Sequence, residues 1–256
     1  MKIVVCMKPT FDTEARIVLT GEGRIDDRSV LFIVNPCDEH AVEEALRLKE
    51  KEGGRVTVIA MAGQAAPKAL QHCLAMGADE AIWVDASALK DADAHTYALV
   101  LSRVLRSLEY DIILCGRESI DEKASQVPSR LAEILDLPQV NLISALNVTG
   151  QKAEARRDIE GGTEFVEVTL PAVFSVQKGI NEVRYPPLRR VMQAAKMPLR
   201  SLSLADIGLK SEQVAPFSSI EEFILPEPRK EGKRLAGELS EVVSELVREL
   251  RVSKII

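Results

Sequence analysis

Three stretches of the chain combine small, polar and charged residues in an order that plain turns do not need: Cys6-Met-Lys-Pro9, Asn35-Pro-Cys-Asp38 and Gly116-Arg-Glu-Ser-Ile-Asp-Glu-Lys-Ala-Ser-Gln-Val127. The third runs from a glycine after an apolar run to the expected start of a helix near Ser125. Backbone N–H groups in the first turn of such a helix lack intrahelical partners. With the helix dipole and the nearby Arg117 and Lys123 they can hold a phosphate. An N-capped surface helix fits the same pattern, because strand–loop–helix turns recur throughout α/β proteins. Other chemistry finds less support. Gly21-Glu-Gly-Arg-Ile-Asp26 has Asp26 where a dinucleotide fingerprint needs its third glycine, and no P-loop or nucleophile elbow is present. His40, His72 and His95 read as surface or boundary histidines. Asp158 and Glu160 read as a solvated hairpin tip, and the Lys/Arg cluster at 229–234 as a solvated hinge.

The elements that must position these stretches alternate between strand and helix. Residues 2–7 (KIVVCM), 29–34 (SVLFIV), 55–61 (RVTVIAM), 81–84 and 111–115 (DIILC) are apolar, largely β-branched runs. Helices are expected from Asn35-Pro36 to Gly53-Gly54, from 67 to 76 ahead of Gly77, over 91–108, and near 125–135. Asn35 has the residue type of an N-cap, Pro36 suits the first turn, and Asp38 and Glu39 suit the positive end of the dipole. Continuous apolar strands separated by helices imply a parallel sheet covered on both faces, which binds ligands beyond the carboxyl ends of its strands. Cys6, Cys37 and Cys115 fall at those ends and read as small buried apolar residues.

After Pro138 the pattern changes. Residues 139–146 suit a strand, 152–159 and 163–169 alternate around Glu160-Gly161-Gly162 as a hairpin, and 171–176 return to a buried strand. Residues 178–200 carry three prolines and read as a long irregular segment of the kind that usually has a function. Beyond a hinge at 226–234, Leu235, Leu239, Val242, Val243, Leu246 and Leu250 form one helical stripe that needs a surface to cover it. The organisation expected is a nucleotide-binding α/β domain over 1–225 and an arm over 226–256.

Composition sets limits. The 256 residues are 46% hydrophobic and 28% charged with a net charge of −6, an ordinary globular balance that repels nucleic acid on average. Aromatics are 4%, too few for base-stacking platforms. No apolar run is long enough to span a membrane, and no signal-peptide pattern opens the chain. Four cysteines without a CxxC pair leave no local metal motif and point to the cytoplasm.

At these motifs the chain resembles the β subunit of electron transfer flavoproteins, from residue 2 to about 208. The resemblance rests on Asn35-Pro together with the run Ala41-Val-Glu-Glu-Ala-Leu-Arg-Leu-Lys-Glu50, and on Leu74-Ala-Met-Gly-Ala-Asp79. It continues through Gly116, Ile120-Asp121 and Gln126, then Arg157-Asp-Ile-Glu-Gly-Gly162 with Leu170-Pro-Ala172. It ends with Asn181-Glu-Val-Arg-Tyr-Pro-Pro-Leu188 and Met192.

The resemblance implies a Rossmann-like, doubly wound sheet with a C-terminal helical arm, in a heterodimer whose α subunit carries the redox-active FAD. This chain would be an electron carrier subunit, not an enzyme by itself, and would hold a structural AMP. Carried over position by position, the nucleotide site comprises Cys6, Asn35, Pro36, Cys37, Asp38, Met61, Gly116, Arg117, Glu118, Ser119, Ile120, Asp121, Lys123, Ala124, Ser125, Gln126 and Val127. A flavin-dependent dehydrogenase, of the acyl-CoA dehydrogenase kind or another, would dock on residues 181–200. Leu188 would be the anchor, with Tyr185 and Met192 beside it. Asp158 would face the mobile flavin domain. The arm would reach over the α subunit.

Departures from the family pattern bear on this. Val127-Pro128 stands where AMP-holding members often have a hydroxyl residue and glycine. Glu122-Lys123-Ala124 stands where bifurcating members, which carry a second FAD in this subunit and accept electrons from NADH, typically have Gly-Asp-Thr, although Gln126-Val127 resembles the bifurcating pattern. The basic tail after the recognition loop is diluted to Gln193-Ala-Ala-Lys-Met197. The readings left are AMP in the groove, a second FAD there, or a stand-alone ATP/AMP-binding module of the stress-protein type. The last needs a glycine-rich triphosphate loop, which Gly116-Arg-Glu-Ser is not.

Overall fold

The computed structural model describes residues 1–28, 30–87, 89, 91–228 and 231–256. They divide into two compact units, Met1–Glu222 and Phe223–Ile256.

In the first unit the chain runs β1 (Lys2–Met7), β2 (Pro9–Phe11), β3 (Phe32–Val34), α1 (Pro36–Glu52), β4 (Arg55–Ala62), α2 (Ala66–Met76), β5 (Glu80–Asp85), α3 (Ala94–Leu105), β6 (Ile112–Gly116) and α4 (Val127–Leu135). It continues through β7 (Gln139–Thr149), β8 (Lys152–Ile159), β9 (Gly162–Thr169), β10 (Ala172–Val176), α5 (Leu188–Ala194) and β11 (Arg200–Leu202), and ends in 3₁₀ turns at Ala205–Ile207 and Ser211–Val214.

Nine strands form one sheet in the order β11-β5-β4-β1-β6-β10-β7-β8-β9. Pairing is parallel from β11 to β7 and antiparallel from β7 through β9. The apolar runs are buried on both faces, as parallel strands between helical layers must be. On one face α1 and α2 close a core around Val5, Val58 and Leu114. On the other, α3 and α4 close a second core around Ile59, Ile82 and Ile113. The chain leaves β1 toward β4 and β5, then returns to β6 on the opposite side of β1. That reversal opens a crevice between the carboxyl ends of β1 and β6.

Several boundaries differ from expectation. Among the described residues of 29–34, Phe32–Val34 is strand, and it pairs antiparallel with β2 in a separate ribbon. Both sides of β1 are already occupied by β4 and β6, so the main sheet has no slot for it. Ser29 lies outside the described residues. The helix expected over 91–108 is trimmed to α3, because Asp93 caps it by accepting from the Thr96 N–H at 2.9 Å. The helix expected from Ser125 begins at Val127, since Lys123 and Ser125 take left-handed φ of 52° and 53°. The segment 178–200 is not irregular throughout: α5 starts directly after Pro186-Pro187, where proline suits a helix entry. The hairpin turns at Glu160-Gly161 with Ile159 opposite Gly162, and Gly161 supplies a φ of 81° that favours glycine.

The second unit contains α6 (Leu239–Val252). Leu235 precedes the helix, so the apolar stripe is shorter than the sequence suggested. Leu239, Val243 and Leu246 remain exposed, and Lys233 pairs with Glu245 and Glu249. Arg229 and Lys230 of the expected hinge lie outside the described residues. Among the described residues no helix is long and apolar enough to cross a membrane.

A candidate nucleotide cleft at the sheet switch point

The crevice between β1 and β6 is bounded by the first turn of α1, by α3 and by the 116–126 loop leading into α4. It encloses about 590 Å³ including space open to solvent, within the range of small-ligand sites.

Its frame is built from α1. Asn35 starts that helix but does not cap it with its side chain. The amide instead crosses to the loop: Nδ2 donates to the Glu118 carbonyl at 2.8 Å, and Oδ1 accepts from the Ile120 N–H at 3.1 Å. Asn35 is fully buried, so these bonds replace the water it gave up. Asp38, one turn on, ties both central strands. Its carboxylate accepts from the N–H of Lys8 at 2.8 Å and of Gly116 at 2.9 Å. Burial pushes the Asp38 carboxyl up to about 7, against the pull of those donors, of Asn35 and of the Lys8 ammonium.

Lys8 forms a wall of the cleft. Its ammonium pairs with Asp121 at 2.9 Å and Glu122 at 2.7 Å and lies 5.0 Å from the centre of the Tyr97 ring. Burial alone would lower its pKa. The Tyr97 oxygen and the two carboxylates outweigh burial, so Lys8 is held protonated well above the ordinary range. Lys8, Tyr97 and Glu122 also line a wider groove that takes in Phe11, Gln64 and Leu89.

The opposite wall is the entry to α4. Gln126 stands at the N-cap without a side-chain cap bond, and Pro128 removes one donor from the first turn. Ser125 donates its hydroxyl to Glu118 at 2.9 Å, and the Arg117 guanidinium lies 3.6 Å from the same carboxylate. The inner surface is apolar, from Met61, Leu101, Cys6 and Cys115. All four cysteines are free. Hydrogen bonding to Cys6 and burial push the Cys115 thiol well up, and burial raises Cys37 and Cys73, so these stay thiols and not nucleophilic thiolates.

Of the sequence candidates, Cys6, Asn35, Asp38, Met61, Gly116, Arg117, Glu118, Ser119, Ala124, Ser125, Gln126 and Val127 line the cleft. Pro36, Cys37, Ile120, Asp121 and Lys123 are not among its lining residues. Asp121 and Ile120 act one layer behind, through Lys8 and Asn35. Sequence reasoning missed Lys8, Tyr97, Leu101 and Glu122. Lys8 and Glu122 lay inside stretches already singled out, and Tyr97 and Leu101 are spaced i,i+4 on one helix face. Tyr185, Leu188 and Met192 gather at α5, exposed by 92%, 75% and 61%. Asp158 lies in β8 opposite Thr163 and is not among the residues lining the cleft.

A family model described as "Electron transfer flavoprotein domain" matches residues 23–207. The chain is 42% identical over 252 residues to electron transfer flavoprotein subunit beta of Bacillus subtilis, covering 98% of each chain. It is 41% identical over 239 residues to the subunit of that name from Syntrophomonas wolfei, covering 93% of this chain and 91% of the relative. For the Thermoanaerobacterium thermosaccharolyticum subunit the identity is 35% over 261 residues, the full length of both. A sheet switch point with a built cleft, a family model over most of the chain and relatives matched end to end place the chain in the electron transfer flavoprotein beta-subunit family.

Proposed function

We propose that this chain pairs with an electron transfer flavoprotein α subunit, holds one AMP in the β1/β6 cleft, and presents residues 181–200 to a flavin-dependent dehydrogenase. FAD in the α subunit would accept and pass on the electrons. The observation that carries the AMP reading is the pairing of an apolar inner wall with an uncapped α4 N-terminus across a single cleft. Met61, Leu101 and Cys6 suit a nucleobase, while the first-turn N–H groups, the Ser125 hydroxyl and Arg117 suit a phosphate. Donation by backbone makes up for Val127 in place of a hydroxyl residue.

The Lys8 bridge to Asp121 and Glu122 supports a mononucleotide over a second FAD, because Lys8 and Glu122 line both the cleft and the wider groove and their ion pair narrows the space shared by the two. The chain's own work in this reading is structural and recognitive. Asn35 and Asp38 hold the loop over the nucleotide, and α5 offers an apolar face to a partner. The exposed stripe of α6 suits cover by the α subunit. Four free cysteines suit a reducing cytoplasm.

The test is nucleotide extraction from the purified heterodimer, with AMP and FAD quantified against protein. One AMP and one FAD per heterodimer is the expected result. Two flavins and no AMP would move the assignment to a second FAD in this cleft. A chain that stays stable without a flavin-bearing partner and hydrolyses ATP would replace the carrier role with a stand-alone nucleotide-binding module.

A further inference from the structure

Residues 177–187 cross α1 and are held to it by polar contacts that the cleft does not use. The Arg184 guanidinium spans two carboxylates. Nε and Nη2 donate to Glu43 at 2.8 and 3.1 Å, and Nη1 and Nη2 donate to Glu50 at 2.5 and 3.1 Å. The Arg184 backbone N–H adds a bond to Glu43 at 3.2 Å. Asn181 donates from Nδ2 to Glu44 at 2.9 Å and to the His40 carbonyl at 3.0 Å, and its Oδ1 lies 2.9 Å from His40 Nδ1. Arg47 donates to the Glu182 carbonyl at 3.0 Å. Positions 40, 43, 44, 47 and 50 share one face of α1, so the helix presents a continuous polar seam to this segment.

The burial of Glu43 sets this seam apart from an ordinary surface network. Only 2% of Glu43 is exposed, and a carboxylate that deep persists only with strong partners. Burial pushes its carboxyl up, but the bonds from Arg184 and Arg47 outweigh burial and hold it below the usual range. A geometric consequence follows at α5, which starts four residues after Arg184. With seven residues it is too short to hold itself, and it buries only Ala194. It packs against α2, while Tyr185 ahead of it and Leu188 and Met192 within it stay exposed.

We infer that Arg184 and Asn181 are positioning residues which, through Glu43 and Glu44 of α1, fix the exposed apolar face of α5 for docking of a flavin-dependent dehydrogenase. This rests on the docking role proposed above for residues 181–200.

The experiment uses the intact heterodimer carrying Arg184→Met, Arg184→Lys or Leu188→Ala. Amide hydrogen exchange is read alongside steady-state reduction by an acyl-CoA dehydrogenase that reduces the wild-type complex. Arg184→Met should speed exchange across 185–197 by about tenfold while the 116–126 loop is unchanged. It should raise the KM for the complex about tenfold with kcat within about twofold. Arg184→Lys, which keeps a charged bond to Glu43, should recover most of both. If Arg184→Met does not assemble, Glu50→Gln removes the exposed half of the clasp and should act in the same direction more weakly. Unchanged exchange across 185–197 overturns the inference, as does a fall in kcat at constant KM. Leu188→Ala separates the two ideas. If it leaves KM unchanged, the docking role fails and takes the clasp's purpose with it. If it raises KM while Arg184→Met does not, the clasp alone is overturned.

Discussion

Asp38 Oδ1 accepts the Gly116 N–H at 2.9 Å, and a β-carbon on Gly116 would lie 2.2 Å from that same oxygen. The carboxylate and the bare backbone are therefore fitted to each other. The bond ties the start of α1 to the end of β6, and the absent side chain is what lets them meet. The same carboxylate holds Lys8 at the end of β1, so one residue fixes both strands that frame the cleft.

Replacing Gly116 by alanine should accordingly be costly. The added carbon would also meet the Asp38 nitrogen and the Cys37 carbonyl carbon at 2.8 Å each, and backbone cannot rotate aside as a flexible side chain can. We expect a loss of about 1–3 kcal/mol in stability, the usual penalty of overpacking, together with loss of bound nucleotide. Urea denaturation and nucleotide extraction on Gly116→Ala check this. A fully loaded variant of wild-type stability would mean that α1 yields at its first turn.

The raised Asp38 carboxyl predicts a pH dependence of stability. Unfolded, the group titrates near 3.8; folded, burial takes it up to about 7. Between those values the folded state binds a proton that the unfolded state does not. The stabilising contribution is thus fully present below 3.8 and is lost as pH rises through 7. Compared with Asp38→Asn, the wild-type complex should lose stability between pH 4 and pH 7, at most about 1.4 kcal/mol per pH unit. Urea midpoints of both proteins across that window measure the difference. A flat difference would show an Asp38 that is ionised throughout.

Asn35→Ala tests the latch. It leaves the Glu118 carbonyl and the Ile120 N–H without their side-chain partners in a part-buried loop. Each such loss costs roughly 1–3 kcal/mol. AMP titration of nucleotide-stripped heterodimer should therefore give at least about tenfold weaker binding, with α1 still folded by circular dichroism. Equal affinity would assign the loop's geometry to the Lys8 bridge instead.

The arm gives a fourth expectation. A chain ending at Pro226 keeps every strand of the sheet but lacks α6 and its exposed Leu239, Val243 and Leu246. The first unit should unfold as before while the heterodimer weakens, since each lost apolar side chain contributes about 1.5–3 kcal/mol when covered. Sedimentation of truncated and full complexes at matched concentrations reads this directly. Equal association would mean that the stripe faces something other than the α subunit.

Much of the architecture was legible in short windows of sequence. KIVVCM, RVTVIAM and DIILC are apolar at every other position and at most positions between, so each must be buried on both faces. That alone calls for a parallel sheet between helical layers. Glu160-Gly161 marked the hairpin, and Gly116 marked the loop, because backbone conformation is a local property. The four family stretches up to residue 172 were readable in the same way.

Only the tertiary structure decided which distant residues act together. Asn35 has the type of a helix cap, yet its amide serves a loop 83 residues away. Lys8 finds Glu122 across 114 residues, and Arg184 finds Glu43 across 141. These pairings depend on strand order, with β1 set between β4 and β6, and on where α1 lies across the sheet. Periodicity and capping preference describe a residue's neighbours along the chain, whereas a buried charge takes its partner from whatever the packed layers bring within reach.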